Sequence, residues 1–253
     1  MKIFITGTSS GFGKAIATKF VKEGHLVVGT ARRSNKLLEL KNDLGDNFHP
    51  ITLDVTDSIK TKEVIERCLI EFGFFDIVIN NAGLSLGTEK AQDAILEEWH
   101  TAIDTNIKGV VNVTHAFLPS LISNKNGLII NMGSTAALYP YAGGNVYGGT
   151  KAFLKQFSMN LRVDLHGTGV RVTDIEPGLV GGTEFSIIRM KGDENKAKAL
   201  YEKTNPLMPD DISETVYWIA TLPKHVNINA IEMMPVSQSP AGLQVYSDPN
   251  QRK

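Results

Sequence analysis

Residues Lys2-Ile3-Phe4-Ile5-Thr6-Gly7-Thr8-Ser9-Ser10-Gly11-Phe12-Gly13 read as a short apolar strand that runs straight into a glycine-rich turn opening a helix. Ile3, Phe4 and Ile5 form an unbroken apolar run, the pattern of a strand buried on both faces. Gly7, Gly11 and Gly13 follow at once, and Ile16, Phe20 and Val21 then mark the buried side of a helix that stops at Gly24. Such a junction aims unpaired backbone N–H groups and the positive end of a helix dipole at one point, so it suits a phosphate. Gly7, Thr8, Ser9, Ser10, Gly11, Phe12 and Gly13 are therefore the first candidates for contact with a dinucleotide. Taken in isolation, the same glycines would also close an ordinary strand-to-helix turn.

Working outward, 253 residues with 42% hydrophobic content suffice for one large α/β domain. A balance of 26 basic and 27 acidic residues, net charge −1 and without like-charged runs, argues against a nucleic-acid or membrane surface. A single cysteine, Cys68, cannot form an intrachain disulfide or a cysteine metal cluster. The six histidines lack paired ligand spacing, so no metal is expected. A reducing compartment follows from the cysteine usage. The few apolar residues before Thr6 make no secretory segment, and no apolar stretch reaches the roughly 18 residues of a membrane span, so the expected location is the cytoplasm.

Beyond Gly24 the chain alternates strand-like and helix-like segments, which predicts a doubly wound parallel sheet with helices on both faces. The second strand, His25 to Ala31, closes on Arg32 and Arg33. A site for NAD would place an acid there for the ribose hydroxyls. Two guanidiniums suit a 2′-phosphate instead and predict NADP, although paired arginines after a strand can also be merely solvated. The third strand, His49 to Val55, sets Asp54 and Val55 where adenine would lie, with Asp54 equally readable as a turn residue. The fourth ends in Asn80-Asn81-Ala82-Gly83, amides followed by residues too small to block a ligand. Asn106 interrupts a long helix between Glu97 and Leu118, so its amide should have a specific partner. The fifth strand, Gly127 to Ser134, brings Ser134 to the carboxyl edge, where open α/β sheets bind ligands.

Tyr147 and Lys151 then stand one turn apart at the start of the next helix, on one face. A phenol titrates near 10 and is a poor acid or base at neutral pH without help. An ammonium about 4 Å away, at an effective dielectric near 20, contributes about 4 kcal/mol, enough to bring it toward 7. There it would serve well as a proton donor and acceptor.

Together these residues resemble the short-chain dehydrogenase/reductases from Ile3 to about Pro235. The resemblance rests on Thr6-Gly7-x-x-x-Gly11-x-Gly13, Asn80-Asn81-Ala82-Gly83, Asn106, Ser134, Tyr147-x-x-x-Lys151 and Pro177-Gly178, in that order. It implies a single-domain Rossmann fold with a seven-stranded parallel sheet over residues 1–236, and an enzyme acting on CH–OH groups. It further implies that Tyr147 exchanges a proton with the substrate oxygen, that Ser134 hydrogen-bonds that oxygen, and that Lys151 holds the nicotinamide ribose and lowers the phenol pKa. Asn106 would anchor a water chain from Lys151 to solvent. Asn81, Ala82, Gly83, Pro177, Gly178, Val180 and Thr183 would line the cofactor. Thr183 follows Pro177-Gly178 after four residues where the family often has three.

Residues 184–205 are polar and lysine-rich and suggest a helical lid, and the tail 237–253 suggests a subunit contact. Pro140-x-x-x-x-x-x-Tyr147, Ile175 to Phe185 and Glu232-Met233-Met234-Pro235 are similar to a bacterial group of NADP-dependent 3-hydroxy acid dehydrogenases, or malonic semialdehyde reductases. That likeness implies a homotetramer acting on serine, threonine, 3-hydroxybutyrate and related acids. Arg189 in the lid is the candidate for the substrate carboxylate, a solvated cation being the plainer reading. Tyr139 and Tyr141 favour small substrates. Phe153, Phe157 and Met159 fit either a subunit interface or the core. A 3-oxoacyl carrier-protein reductase would use the same catalytic set, and a non-catalytic NADP sensor is a further alternative.

Overall fold

The computed structural model describes residues 1–202 and 204–240. Seven strands, β1 (Lys2–Thr6), β2 (Leu26–Ala31), β3 (Phe48–Thr52), β4 (Ile77–Asn80), β5 (Gly127–Met132), β6 (Val170–Pro177) and β7 (Ala230–Met233), form one sheet in the order 3-2-1-4-5-6-7. Every pairing is parallel. Parallel neighbours need crossovers that cover both faces, which is why the central strands β1, β4 and β5 are buried on both sides. Alternation within β1 shows it. Ile3 and Ile5 join one core layer, against Ile16 and Phe20 of α1 (Gly11–Lys22) and, lower in the chain, Ile212 and Val216 of α9 (Pro209–Thr221). Phe4 enters the opposite layer, where its ring meets Phe75 and Phe117 edge-on, at centroid distances of 5.9 and 4.8 Å.

Strand order reverses at β1, which has β2 on one side and β4 on the other. Loops leaving adjacent carboxyl ends in opposite directions open a crevice there. The remaining helices are α2 (Ser34–Leu44), α3 (Ser58–Phe72), α4 (Leu96–Ile103), α5 (Gly109–Asn124), α6 (Asn145–Asp164), α7 (Phe185–Arg189) and α8 (Glu194–Ala199). The expected break in the long helix is a π-helical turn, Asp104–Lys108, joining α4 to α5 without a change of direction in backbone conformation. The expected lid consists of two short helices, α7 and α8, and residue 203 within it and residues 241–253 of the expected tail lie outside the described residues. Among the described residues no helix is long and apolar enough to cross a membrane, and no group of three or more His, Cys, Asp or Glu could hold a metal ion.

Candidate active site

A groove of about 1280 Å³ lies over the carboxyl ends of the strands. Its floor begins at the glycine turn. Gly7 has φ +74° and sits so close to the β4 loop that a Cβ would stand 2.9 Å from Asn81 Nδ2. Thr6 Oγ1 accepts from the Asn81 and Ala82 N–H groups at 3.0 and 2.9 Å, and Asn81 Nδ2 returns to Thr6 O and Gly7 O at 2.8 and 3.1 Å. The turn is thereby fixed from beneath. Ser10 gives α1 no side-chain cap and its first turn holds no acid, so this N-terminus is prepared for an anion from elsewhere.

Of the glycine-turn residues, Ser9, Ser10, Gly11 and Phe12 line the groove with Gly7, whereas Thr8 and Gly13 do not. Thr8 is fully buried and its hydroxyl lies 3.4 Å from Thr30 O. Gly13 is a packing residue: a Cβ there would come within 2.3 Å of Gly7 O. Each holds the turn against its neighbours. Arg32 and Arg33 line the groove beyond the end of β2, and Arg33 is already engaged. Its Nη2 donates to Ser9 and Ser10 at 3.0 Å and to Glu184 at 2.8 Å. Asp54 and Val55 lie in the groove wall too. Asp54 Oδ1 also closes a turn on Thr56, accepting from its N–H at 3.0 Å and its hydroxyl at 2.8 Å.

At the far end, Ser134, Tyr147 and Lys151 meet. Ser134 caps a 3₁₀ turn, Thr135–Ala137, by accepting from Ala136 N at 3.1 Å. Its hydroxyl also interacts with the Tyr147 phenol and favours the ionised form. Lys151 is buried, its Nζ donating to Met132 O at 2.6 Å and lying 5.7 Å from the centre of the Tyr147 ring. The expected strong depression of the phenol pKa by Lys151 is not what this arrangement produces. Burial dominates and pushes Tyr147 well above 10, with Ser134 and Arg189 opposing it. The same burial lowers Lys151 to about 8, with the Asp174 carboxylate opposing that fall.

Asn106 sits in the π turn with 1% exposure. Both of its amide hydrogens are committed, to Leu84 O at 2.8 Å and Thr150 Oγ1 at 3.0 Å, while Oδ1 accepts from Leu84 N at 2.9 Å. Its side chain therefore clamps the loop after β4 to α6, and no N–H of that amide remains to donate to a water chain. Arg189 closes the groove from α7, its guanidinium carbon 5.1 Å above the Tyr141 ring. Its carbonyl accepts from Gly87 N at 3.0 Å, which ties the segment down over the site.

The sequence pattern of the family described as short chain dehydrogenase matches residues 1–192. The chain belongs to that family. It is 55% identical over 246 residues to the NADP-dependent 3-hydroxy acid dehydrogenase of Escherichia coli strain K12, covering 97% of this chain and 99% of that protein. It is 53% identical to the serine 3-dehydrogenase of Agrobacterium fabrum strain C58, covering 97% and 98%. Among solved structures, the closed form of serine dehydrogenase complexed with NADP+ matches with a TM-score of 0.96 at 55% identity, covering 98% of this chain and 100% of that one.

In this member of the short-chain dehydrogenases, several groove residues escaped the sequence reading. Gln238 comes from the far end of the chain to accept from Leu179 N at 2.7 Å, above Gly178. Phe185 packs against the Tyr147 ring at 5.6 Å. Thr183 stands over Gly11, within 3.6 Å of where a Cβ would be, and its hydroxyl accepts from Phe185 N at 3.3 Å. Pro177, Gly178 and Val180 line the groove, Val180 bridging to Leu207. Only an aromatic two residues past Thr183 was visible as a local signal. Gln238 depends on topology alone.

Proposed function

We propose that the protein moves a hydride between NADP(H) and short 3-hydroxy or 3-oxo acids of the serine, threonine, 3-hydroxybutyrate and malonic semialdehyde class. One observation carries the substrate class. Arg189 is a cation facing the same small space as Ser134 and Tyr147, with Tyr141 stacked beneath it, and Arg189 Nε is buried without a hydrogen-bond partner. A carboxylate bound there by a guanidinium fork would place the adjacent oxygenated carbon toward Tyr147.

NADP(H), when bound, supplies or accepts the hydride. The uncapped α1 N-terminus would receive its pyrophosphate, and Arg32 and Arg33 its 2′-phosphate. Gly83 leaves room beside Lys151, a Cβ there reaching within 3.7 Å of Nζ, so the ribose can approach the ammonium. Asn81, Ala82, Val180 and Thr183 would line the remaining path. In reduction, Tyr147 donates its proton to the carbonyl oxygen while the Ser134 hydroxyl hydrogen-bonds it. In oxidation, Tyr147 takes that proton back, and Lys151 keeps positive charge beside it. Asn106 supports this set as a clamp, and any water chain from Lys151 would use backbone groups or the Asn106 carbonyl.

α7 and α8 act as the lid, and the protein works as a cytoplasmic homotetramer. Exposed Met159, Val163 and Trp218 support an association of copies. Phe153 and Phe157 stack on each other at 5.5 Å, with Phe157 against the core. An NADP-linked activity screen across short hydroxy acids, sugars and acyl thioesters tests the substrate class. Turnover confined to hydroxy acids is expected, and preference for acyl carrier thioesters would replace this reading with the carrier-protein reductase.

A further inference from the structure

Helix α6 carries Lys155 one turn after Lys151, and strand β6 carries Glu176 two residues after Asp174. One helical turn and two strand residues both advance the chain by about 6 Å, so two lysines can face two carboxylates rung by rung. One rung is closed: Lys155 Nζ meets Glu176 Oε1 at 2.6 Å, and that carboxylate is 1% exposed. The other is open. Lys151 donates to Met132 O, and Asp174, also 1% exposed, has neither carboxyl oxygen hydrogen-bonded. Asp174 lies directly under Gly133, where a Cβ would stand 2.5 Å from Oδ1. It is therefore packed beneath the short segment whose Met132 carbonyl holds Lys151 and whose Ser134 reaches the groove.

A fully ionised carboxylate with both oxygens unpaired is strongly disfavoured in such a place. Burial and the neighbouring Glu176 raise the Asp174 carboxyl far above the ordinary range, while Lys151 and Lys155 oppose that rise. In return the Asp174 charge supports the proton on Lys151. A further titratable group on this side is Glu232 of β7, in register with Glu176 and accepting from the Tyr139 hydroxyl at 3.3 Å. Asn131 of β5 and Asn229, just before β7, are neutral.

We propose that Asp174 is a positioning residue that sets the charge on Lys151 from beneath Gly133. Ionised, Asp174 is the buried counter-ion of the Lys151 ammonium; protonated, it leaves Lys151 without that support. No bond to substrate changes in either state. Glu176, fixed by Lys155, keeps Asp174 from ionising on its own. The proposal rests on the role of Lys151 in the function given above.

The test is the pH profile of kcat/KM for hydroxy-acid oxidation in Asp174→Asn and Glu176→Gln, with Tyr147→Phe measured in parallel. Without the Asp174 charge, Lys151 loses its proton at lower pH, so the alkaline limb of Asp174→Asn moves about one pH unit toward acid. Without Glu176, Asp174 ionises more readily and the limb of Glu176→Gln moves the opposite way. Independently of turnover, the thermal midpoint of the native chain without cofactor falls between about pH 5 and pH 8 as Asp174 is forced to ionise. Asp174→Asn lacks that decline. Limbs that coincide with the wild type, or that move together, overturn the proposal. Glu176→Gln decides the kinetic question should Asp174→Asn fail to fold. If Tyr147→Phe is inactive while the limbs are unmoved, only this proposal fails. If Tyr147→Phe keeps its turnover, the function beneath it fails as well.

Discussion

Arg33 and Glu184 meet at 2.8 Å across the mouth of the groove, joining the end of β2 to the start of the lid. Both side chains are about two-fifths exposed, so the pair itself contributes little, about 0–1 kcal/mol. Its consequence is positional. The guanidinium assigned to the 2′-phosphate already holds a carboxylate, and it also holds Ser9 and Ser10 of the glycine turn. Glu184→Gln removes the competing charge. NADPH should then bind up to about fivefold more tightly at low salt, with no change for NADH. Fluorescence titration at two ionic strengths measures both.

Arg189→Ala takes away the cation that faces Tyr147 and leaves the phenol, Ser134 and Lys151 in place. A charge-assisted hydrogen bond contributes about 1.5–3 kcal/mol, so KM for 3-hydroxybutyrate or serine should rise about tenfold or more. Turnover of an uncharged short secondary alcohol should be unaffected. Equal effects on both substrates would remove Arg189 from carboxylate recognition.

Burial holds Tyr147 in its protonated form well above neutral pH. That form is the one needed to donate a proton in reduction, whereas oxidation needs the phenolate. The rate of hydroxy-acid oxidation at saturating cofactor should therefore climb from about pH 6 until Lys151 loses its proton, at about 8. The reverse reduction should not gain over the same interval. Stopped-flow rates from about pH 6 to pH 10 check the sign of each slope.

A buried polar ladder crosses the sheet behind the site. Asn80 Nδ2 donates to Thr114 Oγ1 at 2.9 Å and to Asn131 Oδ1 at 2.8 Å, and Asn131 Nδ2 donates to Ser158 Oγ at 2.8 Å. Asn131→Ala would leave an Asn80 donor unpaired in the core and remove a bond to Ser158. The loss is about 1–3 kcal/mol for each unsatisfied group. Urea unfolding should show a lowered midpoint with an unchanged slope.

Where the strands were legible, a parallel sheet forces continuous apolar runs, as in Ile3-Phe4-Ile5 of β1, Leu26-Val27-Val28 of β2, Ile77-Val78-Ile79 of β4 and Leu128-Ile129-Ile130 of β5. The site was legible where one chain segment supplies a whole device, as in the glycine turn and in Tyr147 with Lys151. It was not legible where the fold joins distant segments. Glu184 reaches Arg33, Gln238 reaches Leu179 and Asp174 lies under Gly133 through topology, and the spacing of residues along the chain carries none of that. Asn106 was visible as a misfit in a helix, but its partners Leu84 and Thr150 were not. The electrostatics of Tyr147 and Lys151 depend on more than their spacing: proximity raises the Coulomb attraction, while burial, which spacing does not report, disfavours both charges.

The central claim is that the Tyr147 hydroxyl carries the substrate's proton. Steady-state reduction of NADP with a short 3-hydroxy acid, comparing the wild type with Tyr147→Phe, measures it directly, with NADPH titration as the control for binding. Turnover should fall by about 10²–10⁴ while cofactor affinity stays within about threefold. A Tyr147→Phe enzyme that keeps turnover within about tenfold of the wild type would contradict the account.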